Sequence, residues 1–211
     1  MENVWGIVVA AGRGERFGEP KQFLVLGDAR LVDHSVAAAT AACDGVVVVL
    51  PPDVEWDGPP VAGAVVGGVT RAASVRAGLG AVPAHAEIVV VHDAARPLAR
   101  PDLFRAVVGA VRAGADGAVP GVPVADTLKR VEGDLVAGTV SRDALVRVQT
   151  PQAFRADRLR AAHLSGSDAT DDAALVEAAG GKVVVVPGDE RNLKVTTAED
   201  LAVAAALRAR P

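Results

Sequence analysis

The chain has 211 residues, half of them hydrophobic, with 3% aromatic residues, no tyrosine and a formal net charge of -4. That balance excludes the basic footprint of a nucleic-acid binder and a base-stacking platform, and no apolar run approaches the ~18 residues of a membrane span. The opening Met1-Glu2-Asn3-Val4-Trp5 predicts no signal peptide, and a lone cysteine, Cys43, excludes an intrachain disulfide and fits a reducing cytoplasm. The first predicted element is an apolar strand at 7–11, followed by a Gly-rich stretch and a helix at 31–42. Next come a strand at 46–50, a helix at 71–82, a strand at 88–91, a helix at 101–113 and a short strand at 118–119. After residue 147 come a helix at 173–179, a strand at 183–186 and a helix at 198–209. The strands are Val-rich and do not alternate, as strands buried on both faces require. Strand alternating with helix predicts a doubly wound α/β fold: one domain, 1–211, with a mostly parallel sheet and helices on both faces.

Residues 126–147 break this rhythm. Extended segments flank the turn Glu132-Gly133-Asp134, which reads as an inserted β-hairpin arm. Such an arm either pairs with another copy of the chain through its open edges or lies on the surface as an ordinary hairpin.

The first strand runs into Ala11-Gly12-Arg13-Gly14-Glu15-Arg16-Phe17-Gly18-Glu19-Pro20-Lys21-Gln22. Glycines here let backbone N–H groups approach an anion. The dinucleotide fingerprint fails, because its third glycine, Gly18, comes one position late and Asp33 falls inside a predicted helix. The P-loop fails too, because Lys21 follows Pro20 and precedes Gln22. What remains is a Gly-rich loop with two cations, Arg16 and Lys21, suited to a polyanion.

The same loop, with Pro20-Lys21-Gln22-Phe23, resembles the opening of the 2-C-methyl-D-erythritol 4-phosphate cytidylyltransferases. Further blocks carry the resemblance in the family's order: Gly67-Gly68-Val69-Thr70-Arg71-Ala72-Ala73-Ser74-Val75, Val91-His92-Asp93-Ala94-Ala95-Arg96-Pro97 and Pro123-Val124-Ala125-Asp126-Thr127-Leu128-Lys129. They continue with Gln149-Thr150-Pro151-Gln152-Ala153-Phe154, Thr170-Asp171-Asp172-Ala173 and Asn192-Leu193-Lys194-Val195-Thr196. The resemblance implies a Rossmann-like nucleotidyltransferase that joins CTP to a polyol phosphate and releases pyrophosphate. A phosphomonoester, with its second pKa near ~6, is already mostly a dianion at neutral pH. The nucleophile then needs no general base, which fits the lack of any Ser-His or Cys-His arrangement. Gathering the anions is the difficulty, and cations with Mg²⁺ are the expected tools.

By resemblance, Arg16 and Lys21 contact the phosphates and stabilise the transition state, and Lys194 is a third cation near the attacking phosphate. Ala10, Ala11, Gly68 and Ser74 line the base pocket, and Gly12, Gly14 and Ala94 belong to the same CTP site. The family often carries an acid where this chain has Val69, which weakens any side-chain contact there. Asp93 closes its strand on the side where a parallel sheet binds ligands, so it reads as a Mg²⁺ or nucleotide contact, or as a helix cap. Arg96 either holds a substrate phosphate or pairs with Asp93, and His92 reads as a neutral packing histidine. Thr127, Arg142, Thr150 and Thr170 resemble the residues for the polyol phosphate. In the family the arm crosses to a second subunit, which implies a homodimer with Thr127 and Arg142 acting in trans. The alternatives are a ribitol-5-phosphate cytidylyltransferase, a non-catalytic nucleotide-binding protein and a dinucleotide oxidoreductase.

Overall fold

A computed structural model describes residues 3–12, 20–164, 166 and 168–209. The strands β1 (Val4–Val9), β4 (Gly45–Leu50), β5 (Gly63–Val66) and β6 (Ile88–Asp93) pair in parallel in the order β6-β1-β4-β5. Between them β2 (Val25–Leu26) and β3 (Ala29–Arg30) form a small hairpin. On the other side of β6 the sheet turns mixed. There β11 (Gln152–Arg155) runs antiparallel to both β6 and β7 (Gly117–Pro123), and β10 (Val146–Val148) continues along the same edge of β7. The strand β12 (Val183–Pro187) takes the remaining edge of β7 in parallel.

Alternate side chains of each central strand enter opposite core layers. Val8, Val48 and Val90 pack with Val36 of α1 (Leu31–Thr40) and Phe104 of α3 (Pro101–Arg112). Ile7, Val49 and Val91 pack with Val75 of α2 (Arg71–Ala81), Leu159 of α4 (Ala156–Leu164) and Val176 of α5 (Asp172–Ala178). Burial on both faces is why these strands read as unbroken apolar runs. A third, smaller core of Leu26, Leu31, Val195 and Ala204 seats α6 (Ala198–Arg208) against the small hairpin.

Three expectations are corrected. The strand expected at 118–119 runs over all of Gly117–Pro123, with Pro120 inside it at the gap between β10 and β11, where its carbonyl accepts the Gln149 N–H at 2.9 Å. The arm is a hairpin of β8 (Leu128–Glu132) and β9 (Leu135–Val140), but it ends before residue 147, since Arg147 lies in β10 of the main sheet. The elements β5, β11 and α4 are additions to those expected from the sequence.

Candidate active site

Three neighbouring strands end in one row, with Val9 opposite both Val49 and Asp93. The crevice beyond such carboxyl ends is where α/β sheets bind ligands. A cleft of about 390 Å³ opens there. Its floor is Ala10, Ala11 and Gly12 after β1 and Asp93, Ala94 and Ala95 after β6. One wall is Gly68 to Arg71 with Ser74, and Lys21 and Lys194 face it from the other segments.

The wall depends on a close approach of backbones. A Cβ on Gly67 would stand 2.4 Å from the Ala11 Cβ, and one on Gly68 would stand 2.4 Å from the Ala73 Cβ. Neither position tolerates a side chain without displacing the floor or the first turn of α2. Thr70 caps that helix by accepting the Ala73 N–H, and its hydroxyl donates to Asp168 at 2.7 Å. The Ser74 hydroxyl lies within reach of the Thr70 and Gly68 carbonyls, so it bonds back to its own helix while lining the cleft. The glycine loop is tied from below by Gln22, a buried side chain whose amide donates to the carbonyls of Ala10 at 2.7 Å and Gly12 at 2.9 Å.

Charge in the cleft centres on Asp93. Its carboxylate accepts from Lys194 Nζ at 2.7 Å and from Arg71 Nε at 3.2 Å. Burial pushes the Asp93 carboxyl up, but the Arg71 and Lys194 charges outweigh it and hold the group well below the usual carboxylate range. Asp93 is therefore ionised, and Lys21, Arg71 and Lys194 leave the cleft with an excess of positive charge. Arg71 also donates to Asp172 at 2.8 Å, and the other oxygen of the buried Asp172 carboxylate lies 3.0 Å from His163 Nε2. Burial pushes the Arg71 guanidinium down, but the Asp93 and Asp172 carboxylates raise it above its ordinary value.

Of the residues singled out in sequence, Ala10, Ala11, Gly12, Lys21, Gly68, Ser74, Asp93, Ala94 and Lys194 line this cleft. Gly14 and Arg16 lie outside the described residues. Thr150 and Arg96 sit beneath the cleft. The Thr150 hydroxyl accepts the Asp93 N–H at 3.0 Å, and Arg96 donates to the Asn192 carbonyl at 2.7 Å. Neither side chain is among those lining the cleft; both are committed to contacts within the chain. Thr127 and Arg142 are exposed on the arm, with Arg142 donating to the Ala125 carbonyl, and Thr170 is exposed ahead of α5. His92 is the buried packing histidine expected. Burial lowers it to about 4, so it is neutral, and its ring tilts against Phe104 at 5.0 Å. Sequence reasoning misses Arg71, Asp172 and Gln22 as site residues. Each lies inside a quoted block, so the signal is present, but only the fold shows that Arg71 meets Asp93 and Asp172.

The family model of 2-C-methyl-D-erythritol 4-phosphate cytidylyltransferase (IspD) matches residues 4–210. The chain is 47% identical to a bifunctional IspD/IspF enzyme of Clavibacter michiganensis, over 97% of this chain and 54% of that protein. It thus spans about half the length of that relative. It is 46% identical to a 2-C-methyl-D-erythritol 4-phosphate cytidylyltransferase of Nocardia farcinica, covering 97% of this chain and 94% of that one. Among solved structures, the enzyme of that same name from Thermus thermophilus superposes with a TM-score of 0.83 at 38% identity, over 96% of this chain and 97% of that one.

Proposed function

The chain belongs to the 2-C-methyl-D-erythritol 4-phosphate cytidylyltransferase family, and on that premise we propose that it transfers CMP from CTP to 2-C-methyl-D-erythritol 4-phosphate with release of pyrophosphate, a step of isoprenoid precursor synthesis. The observation that carries the proposal is the meeting of Lys194 and Arg71 at one ionised carboxylate, in a cleft that Lys21 also lines, beside a glycine turn too tight for any side chain. Fixed cations suit a reaction in which a phosphate dianion must approach a triphosphate.

In this reading the main chain of the Gly67-Gly68 turn recognises cytosine. A backbone carbonyl accepts from the exocyclic amine, where uracil presents an acceptor instead. The loop of Gly12 and Gly14 with Arg16 and Lys21 holds the triphosphate. Lys194, half-exposed and already at the mouth of the cleft, swings from Asp93 to the attacking phosphate. The phosphate oxygen then attacks the α-phosphorus and pyrophosphate leaves. The charge that builds on the pentacoordinate phosphorus is matched by the cations gathered in the cleft.

Asp93 fits a divalent cation. It is an ionised hard-oxygen ligand facing the cleft, and Mg²⁺ takes one or two carboxylates with phosphate oxygens and water for the rest. When bound, Mg²⁺ would neutralise phosphate charge.

The arm supports a homodimer. Val131, Leu135 and Val136 are exposed on a hairpin whose strands, among the described residues, pair only with each other, and their burial against a second copy would bring Thr127 and Arg142 to the partner's polyol phosphate, with Thr170 completing the site. Among the described residues no helix is long and apolar enough to cross a membrane. The setting we assign is the cytoplasm, which the single cysteine favours.

The test is pyrophosphate release from CTP and Mg²⁺ with methylerythritol phosphate and with ribitol 5-phosphate. Faster turnover of methylerythritol phosphate supports the proposal. Faster turnover of ribitol phosphate replaces the acceptor, and no release with either sinks transferase activity.

A further inference from the structure

Lys194 sits on a segment without regular structure. From residue 188 to 197 the chain is neither helix nor strand. No sheet ladder sets its place, yet its ammonium meets Asp93 at 2.7 Å. Something else must fix this segment against the end of β6.

A closed ring of hydrogen bonds lies directly beneath. The Asn192 amide donates to the Thr150 carbonyl at 2.9 Å. The Thr150 hydroxyl meets His92 Nδ1 at 3.1 Å, and His92 Nε2 meets the Arg96 carbonyl at 3.2 Å. Arg96 closes the ring by donating to the Asn192 carbonyl at 2.7 Å. The carbonyl opposite Nε2 requires a proton on that nitrogen. Neutral His92 then has a bare Nδ1, which accepts from the Thr150 hydroxyl, and that hydroxyl still accepts the Asp93 N–H at 3.0 Å. Every bond in the ring has one donor and one acceptor. His92, Thr150 and Asn192 are each at most 5% exposed. Beside the ring, the Val195 N–H donates to the Ala95 carbonyl at 2.8 Å, and the Gln149 amide donates to the Asp189 and Asn192 carbonyls at 2.8 and 3.2 Å, so both also tie down the segment.

We propose that His92 and Asn192 are positioning residues, which act through Thr150 and Arg96 to hold the Lys194 segment in register with Asp93. The inference rests on the cytidylyl-transfer reading of the cleft. It assigns Thr150 to the scaffold rather than to the substrate. Misplacing a reacting group by about 1 Å can cost ~10²-fold in rate, so loss of the ring appears in turnover. It should not appear in binding of the polyol phosphate, because the one hydroxyl proton of Thr150 is already given to His92.

The test uses Asn192→Ala, His92→Phe, Thr150→Val and Thr150→Ser, each confirmed folded by thermal melting. With wild-type turnover as reference, Asn192→Ala, His92→Phe and Thr150→Val are expected to lower kcat at least about tenfold, with KM for methylerythritol phosphate changed less than about threefold. Thr150→Ser, which keeps the hydroxyl, is expected to retain turnover. The double variant His92→Phe/Thr150→Val is expected to lose no more than the worse single variant, because one broken ring cannot be broken twice. A roughly tenfold rise in KM for Thr150→Val with unchanged kcat would instead place its hydroxyl on the substrate and overturn the proposal, as would multiplied losses in the double variant. Crystal structures keep this separate from the reaction itself. If the wild-type enzyme turns over neither acceptor, the transferase reading fails, while the ring is still read from Asn192→Ala. There Lys194 Nζ should move beyond about 4 Å from Asp93, and an undisturbed pair would contradict the ring's role.

Discussion

Asp93 is the residue on which the cleft turns, because it is buried and paired on both sides. Two cations reach carboxylates 101 residues away in the chain, Arg71 at Asp172 and Lys194 at Asp93. Arg71 is the one whose removal is felt most in stability. Asp172 is 1% exposed at its side chain, so Arg71→Ala leaves a buried carboxylate with His163 as its remaining partner. Loss of about 3 kcal/mol in urea unfolding is expected; a change below about 1 kcal/mol would show that Asp172 is satisfied without Arg71. On the proposed mechanism, in which its charge would serve the transition state, Lys21→Ala should lower kcat at least about tenfold. Unchanged turnover would remove it from the mechanism. Cys43 gives a pH test. Burial, and then the neighbouring Asp44 charge, push its thiol up to about 12. Only the thiolate reacts, so at about pH 8 the native thiol should react with a disulfide reagent at least ~100-fold more slowly than in denaturant. Its rate should rise about tenfold per pH unit while the fold holds. A native rate equal to the denatured one would place Cys43 in solvent. At this scale Asp93 is legible in the sequence as a carboxylate ending an apolar run. Arg71 is not, because nothing local to Thr70-Arg71-Ala72 says that two acids lie opposite it.

The elements that carry the cleft can be read in sequence where burial is two-sided. The strands β1, β4 and β6 are such buried apolar runs, β12 is a valine run at a partly exposed edge of the sheet, and helices α1, α2, α3, α5 and α6 follow at Ala-rich intervals. The strand β7 reads too short because Pro120 and Gly121 interrupt the apolar pattern while the Pro120 carbonyl goes on pairing. The helix α4 escapes notice because its sequence Ala-Asp-Arg-Leu-Arg alternates charge, with Leu159 and Ala162 among the few side chains turned to the core. The arm is legible from its turn, where Gly133 adopts φ +58. Its role is a prediction at this scale. Val131→Asp with Leu135→Asp should convert a dimer into a monomer by analytical ultracentrifugation, because both side chains are over half exposed on the lone hairpin. A dimer that survives both charges would remove the arm from the interface. Mixing Arg16→Ala with Arg142→Ala protein should restore about a quarter of wild-type activity, since random pairing gives half heterodimers with one intact shared site each. No rescue with exchange confirmed would mean that each site lies within one chain.

For the whole molecule, the sheet brings three distant segments to one edge: the loop after β1, the turn before α2 and the Lys194 segment after β12. The proposed cytidylyl transfer would account for all three at once, with the base at the glycine turn, the triphosphate at the loop and the attacking phosphate at Lys194. The reaction should require a divalent cation, so chelation should abolish turnover and added Mg²⁺ should restore it; full activity in excess chelator would release Asp93 from metal binding. The measurement closest to the central claim is ³¹P NMR of CTP, Mg²⁺ and 2-C-methyl-D-erythritol 4-phosphate incubated with the enzyme. The account predicts pyrophosphate together with the paired signals of a new diphosphate diester, in equal amounts. Pyrophosphate with CMP and an untouched polyol phosphate, or no change in the CTP signals, would contradict it.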